Sequence, residues 1–250
     1  ARRQIGVVTM GAPIHLARLG SIEAIAQAKA ELPRALPADG VAILNGDDAR
    51  VRAMATMTPA RAVFFGLDEG NDWRAVDVED RGLVGFAFTL LHGSWSARIE
   101  SAIVGRHFVH ALLAAAAVAA AMGIPTERIA MALGHVRIGE RQRFLEGPAG
   151  RLIVDDSWNA SVPSMLAALD VLASVPRRRV AVLGEMLELG AGSDDAHRTV
   201  GYRAGEVLQA LVAVGAGGAI MAEEARRAGM PANAVVAVAE PAAVPAAVTG

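Results

Sequence analysis

Apolar positions recur along this chain in two alternating rhythms. Short β-branched runs at residues 5–9 (IGVVT), 41–44 (VAIL) and 62–65 (AVFF) read as buried strands. Between them lie stretches with helical spacing. Ser21 is placed to cap a helix running to about Leu36, and residues 48–57 read as a short helix. This βαβα alternation predicts a mainly parallel sheet with helices on its faces.

The rhythm changes between Trp73 and Val104. Residues 76–78, 84–91 and 97–104 alternate or run apolar, with Gly and Ser between them, and predict two or three antiparallel strands at the sheet's edge. Helices are expected over residues 105–121 and 125–133, then a polar connector over 134–142. A second alternation follows. Strands are expected at residues 152–155, 180–183, 211–214 and 234–238, with helices at 163–173, 194–209 and 219–228 and a weak one at the end. The expected fold class is therefore α/β: residues 1–142 with mainly parallel strands and antiparallel edge strands, then a Rossmann-like unit over 143–250.

Composition narrows the classes of function. The 250 residues are enough for one large or two medium domains, and 53% are hydrophobic with only 4% aromatic, which points to an aliphatic, layered core. The net charge of −2 gives no basic excess for nucleic acid or a membrane surface. With no cysteine, disulfides and thiolate metal sites are excluded, in keeping with a cytoplasmic protein. The most apolar stretch, residues 111–122, falls well short of the roughly 20 residues of a membrane span and reads as a buried helix. Nothing in the composition demands more than a monomer.

Four places gather polar groups near the ends of expected strands, where open α/β sheets hold ligands. The first holds His15, a natural metal ligand or proton acceptor or simply a loop residue, and Lys29, which Ala28 and Ala30 flank and which is either partly buried or, as is commoner for such a residue, a solvated helix position. The second is Asn45-Gly46-Asp47-Asp48, a capping turn or a pair of carboxylates near a metal. The third runs from Asp155 to Ser161, through Asp156, Ser157, Trp158 and Asn159; it can hold ribose, phosphate or Mg²⁺, or simply cap the next helix. The fourth is Val182 to Gly190 (VLGEMLELG), followed by His197; it binds a small substrate or packs on a partner domain. Neither Gly-x-x-x-x-Gly-Lys-Ser/Thr nor Gly-x-Gly-x-x-Gly occurs, and Gly215 to Gly218 (GAGG) reads as a strand-to-helix turn.

Taken in order, IGVVT…HLARLGSIEAIAQAKAEL, LNGDDARVRAM, GRHFVHALLAAAAVAAAMGIP, VDDSWNASVPSMLAALDVLA and VLGEMLELG…SDDAHRTVG resemble the Mur ligases. The resemblance spans about residues 3–215, and the last two pieces are most like the branch that adds D-alanyl-D-alanine. It implies an ATP- and Mg²⁺-dependent ligase that joins D-alanyl-D-alanine to UDP-N-acetylmuramoyl-tripeptide through an acyl phosphate, in cell-wall synthesis. It also implies that the chain begins inside a central ATP domain, after its phosphate-binding loop, and stops before the last strands of a Rossmann-like ligase domain. Residues 1–250 alone are then expected to turn over no ATP.

Residue by residue, the resemblance implies that His15 holds Mg²⁺ and that Lys29 becomes carbamylated and so turns into an anionic metal ligand. Arg141 would reach a terminal phosphate. Asp156, Ser157 and Asn159 would close over the nucleotide, and Glu185, Glu188 and His197 would lie near the acceptor dipeptide. The sequence also departs from the family. Phe108 and Ala111 stand where family members carry adenine-contacting Asn, and Phe108 would stack on the base instead. Met10 replaces an Asn, Trp158 a Tyr, and Ser161-Val162-Pro163 an Asn-Pro-Asp. Two other readings stay open: another Mur-like amide ligase of the folylpolyglutamate synthase type, and a non-catalytic binding protein on the same scaffold.

Overall fold

The computed structural model describes residues 4–11, 21–138 and 143–249. The chain divides into two units that meet between Ile138 and Gly139. In the first, strands β1 (Ile5–Val8), β2 (Val41–Asn45), β3 (Arg61–Gly66), β4 (Trp73–Asp80), β5 (Phe86–His92) and β6 (Trp95–Ser101) form one sheet in sequence order. β1 to β4 run parallel, and β5 and β6 each reverse direction. One expectation is corrected here. β4 is not simply an antiparallel edge strand, because its first residues pair in parallel with β3 while its length pairs with β5. It joins the two halves of the sheet.

Burial on both faces follows from the sequence of the central strand. In β2, Ala42 and Leu44 point to one side and Ile43 to the other, since neighbouring side chains alternate across a strand. Ala42 and Leu44 pack with Val8, Ala30 and Met54 beneath α1 (Ile22–Arg34) and α2 (Ala49–Ala53). Ile43 packs with Val63, Phe65, Trp73 and Leu113 beneath α3 (Val109–Ala121). α3 is apolar almost all round, as a buried helix must be. Two counted reversals mean that β6 runs in the same direction as β1–β4. Its end, and hence the start of α3, therefore lies at the C-terminal edge of the parallel strands. Helix α4 (Thr126–His135) buries Ile129 and Leu133 against the same core.

In the second unit, β9 (Val180–Gly184), β10 (Ala210–Val214) and β11 (Val235–Val238) form a parallel sheet in the order β11-β10-β9. Ala181, Leu211, Ala213 and Val235 pack against α5 (Val162–Ala173), α6 (Ser193–Val207) and α7 (Ala216–Arg227) through Leu169, Val200, Ala204 and Met221. The weak terminal helix is present as α8 (Val244–Thr249). The strand expected at residues 152–155 is present with those bounds. β8 (Leu152–Asp155) does not join the parallel sheet among the described residues, but pairs antiparallel with β7 (Arg143–Glu146). The cause is local: Gly147-Pro148-Ala149-Gly150 is turn chemistry, with Ala149 and Gly150 both at positive φ, and it folds the two strands into a hairpin.

Candidate functional site

At the C-terminal edge of the first sheet, the Asn45-Gly46-Asp47-Asp48 loop holds three neighbouring segments. Asp48 caps α2 by accepting from the N–H groups of Arg50 and Val51, and its other oxygen accepts from Gly11 N–H at 2.6 Å, just past β1. Asn45 donates to the Thr9 carbonyl at 2.8 Å. Asp47 accepts from the Leu67 and Asp68 N–H groups at 2.7 and 3.0 Å and from the Asn71 amide at 2.9 Å, all past β3. It accepts a further bond from His110 Nε2, on the first turn of α3, at 2.8 Å. Arg52 completes the loop by bonding the Gly46 carbonyl and stacking over Phe64.

Asp47 thus accepts four bonds from the protein and Asp48 three. Of the two readings open for this turn, the structure favours capping over a metal-binding pair. Burial pushes the Asp47 carboxyl up, but the bonds from Leu67, Asp68, His110 and Asn71 outweigh it and hold the group below its ordinary value. The sign of the linkage follows. A depressed folded pKa gives stability that is present above the unfolded value, roughly 4, and lost as pH falls through the folded one. The urea midpoint of this unit is expected to fall on acidification below about pH 4, and Asp47→Asn to flatten that part of the profile. Urea titrations across the acid range check this; equal slopes in the two proteins would remove Asp47 from the account.

Lys29 lies on α1, four residues after buried Ile25 and four before buried Pro33. Helical spacing puts all three on one stripe, yet Lys29 is exposed. Of the two readings open for Lys29, the structure bears out the solvated one, and the amine is accessible to a small electrophile such as CO₂. His15 and Arg141 lie outside the described residues. Among the described residues no three His, Cys, Asp or Glu side chains gather as a metal site, so within them Lys29 is the remaining member of the expected metal set. Phe108 is half-buried just before α3, packed against the core and 4.2 Å from the His107 ring, whereas Ala111 is exposed.

In the second unit, Asp155 accepts from both the N–H and the hydroxyl of Ser157, which, with Arg143 nearby, lowers its pKa. Asn159 bonds the N–H of Ala160, leaving its amide nitrogen pointing outward with exposed Trp158 beside it. Asp156 is half-buried and Ser157 exposed. Ser161 and Ser164 form a reciprocal capping box at the start of α5, so the Ser-Val-Pro departure keeps a cap and a proline in the first turn.

The VLGEMLELG loop is pinned at three points. Met186 and Leu189 are buried pegs, and the Met186 N–H donates to His197 Nε2 at 2.9 Å. That bond makes Nε2 an acceptor, so Nδ1 carries the proton and donates to the Ser193 carbonyl at 2.7 Å. His197 is 1% exposed with both ring nitrogens committed. His197 thus anchors the loop from behind. Glu188 adopts φ +61 between the pegs, a costly conformation for a side chain with a Cβ, and it stays exposed along with Leu187. Glu185 accepts from the Gly217 N–H at the start of α7. The GAGG turn thus faces a carboxylate of the chain itself, which opposes a nucleotide phosphate there. A Cβ at Gly217 would strike the His197 ring, and this coupling between two motifs was invisible in the sequence.

The family model described as Mur ligase middle domain matches residues 1–119, and that described as Mur ligase, glutamate ligase domain matches residues 140–249. The chain belongs to the Mur ligase family. Among curated relatives, the UDP-N-acetylmuramoyl-tripeptide--D-alanyl-D-alanine ligase of Mycobacterium tuberculosis is 39% identical over 227 residues, covering 87% of this chain and 44% of the relative. The ligase of the same name from Escherichia coli is 34% identical over 206 residues, covering 81% and 45%. A crystal structure of MurF from Acinetobacter baumannii superposes with a TM-score of 0.85 at 28% identity, over 99% of this chain and 53% of that one. The chain thus spans about half the length of the curated relatives it matches. Members of the Mur ligase family are ATP-dependent ligases. Among the described residues, no helix is long and apolar enough to cross a membrane.

Proposed function

We propose that this chain is part of a Mur ligase that adds D-alanyl-D-alanine to UDP-N-acetylmuramoyl-tripeptide in peptidoglycan precursor synthesis. The observation that carries the reading is the 39% identity to the Mycobacterium tuberculosis ligase, which runs across both units. In the reaction, a carboxylate oxygen of the tripeptide attacks the γ-phosphorus of ATP and ADP leaves. The amine of D-alanyl-D-alanine then attacks the acyl carbon, phosphate departs with the bonding pair, and the amine proton passes to solvent. Such chemistry depends on placing and neutralising phosphate charge.

ATP lies along the C-terminal edge of the first sheet, with its base against the start of α3. This follows the rule that open parallel sheets bind ligands beyond their strand ends. Phe108 forms an apolar wall beside the base. Bound Mg²⁺ would neutralise phosphate charge, and a carbamate on exposed Lys29, together with His15, suits that hard, oxygen-preferring ion. Arg141 reaches the terminal phosphate. In the second unit by itself, Asp156, Ser157 and Asn159 form a polar crest suited to ribose, phosphate or Mg²⁺, and Glu185 and Glu188 suit an incoming dipeptide on the pinned loop.

The test takes the protein at the full length of its relatives. Calorimetry with ATP and Mg²⁺ is followed by phosphate release with UDP-N-acetylmuramoyl-tripeptide, with and without D-alanyl-D-alanine. Release that needs both substrates is the expected result. ATP binding with release driven instead by a folate and glutamate would favour the folylpolyglutamate synthase type. A folded protein that takes up the UDP-muramoyl-peptide but no ATP would be a binding protein on the Mur scaffold.

A further inference from the structure

The Asp47–His110 pair fixes more than the position of α3. His110 is half-buried on the helix's first turn, and its Nε2 lies 2.8 Å from Asp47 Oδ2. An ionised carboxylate can only accept, so Nε2 must carry a proton. In the neutral ring the other nitrogen, Nδ1, is then a bare acceptor. Among the described residues no hydrogen bond reaches Nδ1, and the His110 side chain keeps 32% of its exposure. Asp47 in turn is held by Leu67, Asp68 and Asn71, so the ring is set from behind and cannot readily turn round.

The result is a single oriented acceptor at the C-terminal edge of the parallel strands, two residues beyond Phe108 and next to exposed Ala111. An acceptor fixed in this way discriminates between purines by the group at C6. Adenine offers an amine that can donate to it. A 6-oxopurine offers a carbonyl, which sets lone pair against lone pair and leaves both groups unpaired, the arrangement that binding sites reject most strongly.

We infer that His110 reads the nucleobase, accepting at Nδ1 from the exocyclic amine of adenine and so excluding 6-oxopurines. The inference rests on the proposed ATP site in the first unit, and it assigns base selection to an imidazole in place of the missing Asn amides. Asp47 is the positioning residue, since it acts only through the imidazole.

Two measurements test it. The first needs no nucleotide: ¹⁵N NMR of the 250-residue chain, at a pH where imidazoles are neutral, should show His110 protonated on Nε2 with Nδ1 bare. A proton on Nδ1 would overturn the inference. The second uses the full-length ligase and compares kcat/KM for ATP and ITP, which differ at C6. The native protein should favour ATP about tenfold or more, and His110→Ala should bring the ratio to within about twofold of unity, chiefly by raising KM for ATP. A ratio that survives in His110→Ala defeats the base-reading role and leaves the ATP site standing. A native protein that binds neither nucleotide takes down the ATP site and the inference with it.

Discussion

Lys29→Ala in the full-length ligase is expected to lower the rate of D-alanyl-D-alanine addition by about 10²-fold or more, the scale on which removing one preorganised charge-stabilising group acts. Excess bicarbonate is expected not to restore it, because the alanine variant has no amine to carry a carbamate. The position makes the result readable. Lys29 is exposed on a well-formed helix, alanine is the best helix former, and exposed substitutions of this kind usually stay within about 0.5 kcal/mol. A loss of activity with an unchanged melting curve therefore reports on the reaction and not on folding. Phosphate release at saturating substrates is the measurement, and an unaltered rate would remove Lys29 from the site.

Gly201→Ala is expected to cost about 3 kcal/mol, the upper range for forcing one extra carbon into a packed interior. α6 and α7 cross at two glycines one turn apart, Gly201 and Gly205. A Cβ on Gly201 would lie 2.5 Å from the Met221 carbonyl oxygen and 2.6 Å from its Cα, and one on Gly205 would lie 2.6 Å from the Ala225 carbonyl oxygen. These are backbone atoms, so no rotamer change relieves the clash and the helices must separate. Separation opens the contact of Val200 and Ala204 with Met221 and Ala225, all of them fully buried. A urea titration followed by circular dichroism should show the second unit unfolding at clearly lower denaturant while the first is unchanged. A midpoint within error of the native one would mean that the helices tolerate the wider spacing.

The two substitutions separate what the two layers of the molecule do. Lys29 is exposed on its helix, so the expected effect of its loss falls on the reaction and not on the fold. Gly201 is placed for packing. His197 shows why the distinction needs the structure. In the sequence it follows a loop of acids and glycines and resembles a ligand-facing residue. In the fold it is buried, and its two bonds hold the Met186 end of that loop, so the acids Glu185 and Glu188 are what the loop presents.

Much of the architecture was legible in one dimension because it follows from local rules. The β-branched runs at β1, β2 and β3 and the helical spacing after Ser21 and Asp48 dictate a parallel sheet, since side-chain alternation leaves both faces of β2 apolar and each must be covered. Ser21 and Asp48 are the caps that their chemistry predicts. The ordered motifs also carried the family, because they recur at the strand ends where a parallel sheet places its ligands.

Other features depend on partners far away in the chain, to which a local pattern is blind. Lys29 sits on an apolar stripe, and only the packing of α1 shows that this turn faces open space. β8 has the composition of a core strand, but a hairpin with β7 claims its hydrogen bonds first. His110, by sequence position a poor substitute for the missing amides, acquires a direction only because Asp47 lies 63 residues away in sequence and 2.8 Å away in space. Periodicity and turn chemistry determine which elements form. Long-range contact decides which polar groups are satisfied, which are exposed, and which way an imidazole points, because those outcomes depend on donors and acceptors that only the folded chain brings together.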